Sequence, residues 1–151
     1  MMLDVFNHFM PKTILDRMAT LVPGHIALKA FPQLPTLWDT SARLRLMEGF
    51  GDYQQVLSLS NPPIEMLGGP DLAPELARIA NDGLAELCQK HADRFPCFIA
   101  SMPMNNVDAC LAEIDRIWDL FQYDLAKTNF YYLHTLLPLP WFETLGLPDA
   151  R

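Results

Sequence analysis

Leu3-Asp4-Val5-Phe6-Asn7-His8-Phe9-Met10-Pro11 is the stretch from which the fold is read. Leu3, Val5, Phe6 and Phe9 suit a short buried strand, and Pro11 ends it. Side chains on a strand alternate faces, so positions 4, 6 and 8 share one side. Two histidines at positions 6 and 8 would grip one metal ion. Position 8 is His8, the candidate metal ligand, but position 6 is Phe6. A phenyl ring has no lone pair to offer a metal.

Outward from this strand, the spacing of Ile14, Leu15, Met18 and Leu21 predicts a helix over 13–21. From Val22 to Leu37 the pattern breaks at Pro23, Gly24, Pro32 and Pro35, which reads as a loop or an excursion over a barrel mouth, with His25 in it as a solvated loop histidine or a substrate or metal contact. Asp39 or Thr40 can cap a helix to about Glu48, ended by Gly49 and Gly51. Tyr53 to Ser60 reads as a second strand, closed by Asn61-Pro62-Pro63. Ser58, Ser60 and Asn61 fall at its C-terminal end, the end of a parallel barrel strand where chemistry is done. Ser60 and Asn61 are the substrate-binding candidates; the competing reading is a plain polar exit from a strand.

A long amphipathic helix follows, capped by Asp71 and carrying Pro74 in its first turn. Leu72, Leu76, Ile79, Gly83, Leu84, Leu87 and His91 recur along it at helical spacing. Cys97-Phe98-Ile99-Ala100-Ser101 is a third strand, apolar as expected when both faces are covered. Asn106 caps a last helix with Val107, Cys110, Leu111, Ile114, Ile117 and Trp118 on one stripe. Strand and helix thus alternate, which favours an α/β fold with parallel strands and right-handed crossovers.

The chain has 151 residues, half of them apolar, enough for one core. A net charge of −7 with scattered Lys and Arg argues against a nucleic-acid partner. No basic n-region precedes an apolar core, so no secretory signal is expected, and no apolar run is long enough to span a bilayer. Cys88, Cys97 and Cys110 lack metal-ligand spacing and read as buried thiols in a reducing cytoplasm.

Asp4-Val5-Phe6-Asn7-His8-Phe9-Met10-Pro11-Lys12 resembles the first strand of the amidohydrolase superfamily. The branch it resembles includes aminocarboxymuconate semialdehyde decarboxylase and the resorcylate- and carboxyvanillate-type decarboxylases. That branch reads Asp-x-His-x-His, a short apolar pair and Pro. Asp4, His8 and Pro11 match, and Phe6 departs. Tyr53 to Trp118 is similar as well, with Asn81-Asp82 in mid-helix, Arg94-Phe95-Pro96-Cys97-Phe98 entering the third strand, and Pro103-Met104 after it. The resemblance covers residues 3–118. It divides the chain into a partial amidohydrolase-related barrel, 1–118, and an unmatched aromatic, Pro-rich tail, 119–151.

The resemblance implies the N-terminal portion of a (β/α)8 barrel, about three of its eight units, followed by an irregular tail. It implies a divalent metal, usually zinc, held by the first-strand histidines with a later His and a late Asp. In this chain His8 is the matching ligand and Phe6 replaces its partner; His134, in Leu133-His134-Thr135, is the one substitute the tail offers. The implied activity is decarboxylation of a small aromatic or unsaturated carboxylic acid by a homo-oligomer. The alternatives are hydrolysis, or a catalytically inactive scaffold or fragment. From Thr128 to Phe142 no Asp, Glu, Lys or Arg occurs. That stretch reads as an interaction tail, as a cover for an open sheet edge, or as out-of-frame or alternatively spliced sequence.

Overall fold

The computed structural model describes residues 2–124. Three strands, β1 (Met2–Phe9), β2 (Tyr53–Leu59) and β3 (Phe98–Ile99), form a parallel sheet in the order β1-β2-β3. The helices α1 (Lys12–Leu21), α2 (Ile26–Ala30), α3 (Thr40–Glu48), α4 (Ile64–Leu67), α5 (Ala73–Lys90) and α6 (Val107–Asp124) supply the connections. Among the described residues, 2–116 make one compact unit. Helix α6 runs through position 118, so the boundary drawn by resemblance is not a break in secondary structure. The tail expected to be irregular, 119–151, is helical to Asp124, and its remainder lies outside the described residues.

Asp4 pairs with Gln55 and Asn7 with Leu57, so three steps along β1 match two along β2. That is a bulge at Val5–Phe6. Gln55 and Ser58 lie three apart on β2 and therefore on opposite faces. Their partners Asp4 and His8 are separated in the same way. The expectation that positions 4, 6 and 8 share a face fails at Asp4 for this reason.

Two clusters form the core. Phe9, Met47, Leu57, Leu84 and Phe95 join the sheet to α3 and α5. Met10, Ile14, Met18, Phe31, Ile64, Leu67, Leu76, Ala77 and Ala80 join α1, α4 and α5 at the strands' C-terminal end. Gly83 lets α5 approach the turn after β1: a Cβ there would lie 2.7 Å from Pro11 Cβ.

Other expectations need correction. Val5 and Phe6 are exposed rather than buried. Residues 22–37 hold α2 and two 3-10 turns instead of a plain loop. Leu72, not Asp71, takes the N-cap position of α5, with no side-chain cap. The third strand is two residues long, and Ile99 is exposed because β3 has β2 as its sole strand neighbour among the described residues. The stripe of Val107, Leu111, Ile114 and Trp118 is exposed, while Glu113 is buried in its stead. Among the described residues no helix is long and apolar enough to cross a membrane.

Candidate functional site

Polar groups gather on both faces of the sheet. On one face of the sheet His8 Nδ1 lies 2.7 Å from Ser58 Oγ. The Ser58 hydroxyl donates to the Asn7 carbonyl at 2.8 Å. The Phe6 ring meets the His8 ring edge-on, with centroids 5.2 Å apart. Phe6 is 82% exposed.

On the other face a buried network braces β1. Arg43 Nη2 donates to the His8 carbonyl at 2.5 Å, Arg43 Nη1 to Gln55 Oε1 at 2.9 Å, and Arg43 Nε to the Thr36 carbonyl at 2.7 Å. Its guanidinium lies 5.7 Å from the Phe9 ring centroid. The Tyr53 hydroxyl donates to Asp4 Oδ2 at 2.7 Å and accepts from Gln55 Nε2 at 3.0 Å. Burial lowers the pKa of Arg43, with the charges of Tyr53 and Asp4 opposing it. Burial also raises the Tyr53 phenol; the Gln55 hydrogen bond opposes that shift and Asp4 adds to it. Sequence reading passed over Arg43, because a cation in a helix ordinarily marks the solvent face.

Beyond the strand ends an open cleft of about 220 Å³ is lined by Leu59, Ser60, Asn61, Pro63, Ile64, Glu65, Ser101 and Met102. Ser60 and Asn61 thus border one cavity. The Ser60 amide donates to the Phe9 carbonyl at 3.1 Å, which ties the β2 exit to the end of β1. The peptide bond between Asn61 and Pro62 is cis. Asn81, fully buried on α5, fixes the opposite wall. Its Nδ2 donates to the Ser101 carbonyl at 2.9 Å, and its Oδ1 accepts from the Ser101 amide at 2.8 Å. The signal for Asn81 was present in the sequence as a polar residue inside an apolar helical run.

A divalent cation at a catalytic site takes about three protein ligands. Among the described residues no three His, Cys, Asp or Glu side chains converge to hold one. Asp4 accepts from the Tyr53 hydroxyl and the Phe6 amide. His25 caps α2, its Nδ1 accepting from the Ala27 amide, and His91 closes α5. His134 lies outside the described residues. The described residues therefore do not by themselves fit a metal, and His8 stands as a single donor.

The chain is 39% identical over 111 residues to the gamma-resorcylate decarboxylase of a Rhizobium species. It is 36% identical over 111 residues to the gamma-resorcylate decarboxylase of Rhodococcus jostii. The homologues of this chain are gamma-resorcylate decarboxylases. These are the resorcylate-type enzymes that residues 3–118 resemble. The Rhizobium match takes in 73% of this chain and 33% of that enzyme, so the chain spans about one third of the length of the curated relatives it matches. No family model matches the chain. The crystal structure of the Rhizobium 2,6-dihydroxybenzoate decarboxylase superposes with a TM-score of 0.58 at 34% identity, over 76% of this chain and 34% of that one. A second structure, with 2,6-dihydroxybenzoate bound, matches equally well, again with a TM-score of 0.58. The dihydroxybenzoic acid decarboxylase of Polaromonas, solved with manganese and the inhibitor 2-nitroresorcinol, superposes at 0.58 with 33% identity, over 76% of this chain and 34% of that one.

Proposed function

We propose that this chain forms the first β/α units of a metal-dependent decarboxylase of a dihydroxybenzoate-type acid. The observation that carries the reading is the 39% identity with a gamma-resorcylate decarboxylase over 111 residues. In this reading residues 1–118 are the enzymatic segment and 119–151 stand apart from it. The sheet belongs to a (β/α)8 barrel closed by further strands, in a cytoplasmic homo-oligomer. His8 would be one donor to the cation, manganese or zinc, and its other ligands would have to come from outside the described residues. When bound, the cation would neutralise the acid and orient it. Ser60 and Asn61 donate hydrogen bonds to the carboxylate, and the apolar side chains of Leu59, Ile64 and Met102 pack against the ring. Decarboxylation breaks the bond between ring carbon and carboxylate, releases CO2 and puts a proton on the ring carbon.

One observation favours a second reading. Phe6 occupies the place of a ligand, so the segment can serve as a catalytically inactive scaffold. A chimera separates the two. This chain's residues replace the matching third of the Rhizobium enzyme, with Phe6 or with Phe6→His. Release of CO2 from 2,6-dihydroxybenzoate is followed with Mn2+ present. The decarboxylase reading expects turnover in the Phe6→His chimera and slower turnover with Phe6. A folded, manganese-loaded Phe6→His chimera that releases no CO2 leaves the scaffold.

A further inference from the structure

We infer that Ser58 is a positioning residue that fixes His8 as its Nδ1–H tautomer, leaving Nε2 as an acceptor nitrogen. A serine hydroxyl has one hydrogen, and a carbonyl oxygen can only accept. Ser58 Oγ lies 2.8 Å from the Asn7 carbonyl, and that contact is attractive only if Ser58 donates. Its single hydrogen is then spent. The 2.7 Å contact between Ser58 Oγ and His8 Nδ1 must take its hydrogen from the imidazole. A neutral ring protonated at Nδ1 has its lone pair at Nε2.

The arrangement is held from both sides. Residues 7 and 8 of β1 pair with Leu57 and Ser58 of β2, so sheet register sets the distance from hydroxyl to imidazole. Arg43 holds the His8 carbonyl from the opposite face, and Asn7 Nδ2 donates to the Val56 carbonyl at 3.0 Å. The hydroxyl therefore meets a carbonyl on a strand that is hydrogen-bonded from both faces. Free histidine in water favours the opposite, Nε2–H tautomer, so Ser58 changes which nitrogen can accept. The tautomer follows from these contacts alone. Its use rests on the decarboxylase reading, in which His8 must accept and not donate.

The test is two-bond 1H–15N correlation spectroscopy on the whole metal-free chain at about pH 8, where an ordinary imidazole is neutral. The His8 signals are assigned by their loss in His8→Asn. The expected pattern is protonated Nδ1 and bare Nε2 in the native chain, Nε2–H in Ser58→Ala, and a return to Nδ1–H in Ser58→Thr, which keeps the hydroxyl. A native chain showing Nε2–H overturns the inference, whether or not the variants fold. So does a folded Ser58→Ala that keeps Nδ1–H. Neither result depends on CO2 release, so failure here is distinct from failure of the decarboxylase reading.

Discussion

Phe6 is the residue at which sequence and resemblance part. It lies edge-on to His8 and open to solvent, on a strand whose bulge separates Asp4 from that face. An exposed phenylalanine gains nothing from burial here and supplies no donor. Phe6→His should therefore raise the affinity of the chain for Zn2+ or Mn2+ by at least about tenfold, roughly 1.4 kcal/mol. Calorimetric titration of both proteins measures it. An unchanged affinity would mean that the bulge holds positions 6 and 8 in different directions, so that a second imidazole cannot reach the same ion.

At the scale of elements, α5 and α6 are joined by a buried carboxylate. Glu113 is 3% exposed, and its oxygens accept from Arg116 Nη2 at 2.6 Å and from Asn81 Nδ2 at 2.8 Å. Arg116 Nη1 also reaches Asp82 Oδ1 at 2.8 Å. Burial works to raise the Glu113 pKa. The hydrogen bonds from Arg116 and Asn81 and the charges of Arg116 and Arg78 outweigh it, so the net shift is downward. A depressed carboxyl contributes stability that is fully present above its unfolded pKa of about 4.3 and is lost as pH falls through the folded value. Glu113→Gln should cost about 2 kcal/mol at neutral pH, with the gap from the native protein closing below about pH 4. Urea unfolding at several pH values reads this, and a gap independent of pH would sink it. Gly83 makes the second joint. A helix interior normally gains about 1 kcal/mol from Gly→Ala, but a Cβ there meets Pro11 Cβ at 2.7 Å and Thr13 Oγ1 at 3.1 Å. Gly83→Ala should destabilise by about 1–2 kcal/mol in the same assay; a gain in stability would show that the turn after β1 yields.

These joints show what could be read from the sequence. The alternation of strand and helix, the Asp39 and Asn106 caps and the helix boundaries near 12–21 and 40–48 follow from local chemistry, and the structure has them. Ser60 and Asn61 were legible as residues at a strand's C-terminal end, and both line the cleft. The bulge at Val5–Phe6 was not legible, because it is set by pairing with β2 and not by the residues themselves. Neither was the length of β3, since an apolar run does not say how many neighbours it has. The α6 stripe was legible as one side of a helix, but its exposure was not, because periodicity shows that a helix has an apolar face and not what covers it.

On the scale of the whole molecule, the exposed apolar face of α6 carries an expectation about behaviour in solution. Val107, Leu111 and Ile114 are 70%, 58% and 45% exposed along one side of α6, and Met104 before the helix is exposed as well. The sheet adds two outer strands, β1 and β3, whose edges the proposed barrel would pair. A contiguous apolar surface of this kind promotes self-association. Replacing it should leave the fold almost untouched, because surface substitutions away from the core ordinarily change stability by about 0.5 kcal/mol or less. The double variant Leu111→Lys, Ile114→Gln should thus unfold within about 1 kcal/mol of the native chain. It should also bind less of an apolar dye and scatter less light at equal concentration. A loss of more than about 2 kcal/mol would instead place the stripe against a core, as burial of two such side chains contributes on that order each. Unchanged dye binding with unchanged stability would move the association surface away from α6 and onto the strand edges.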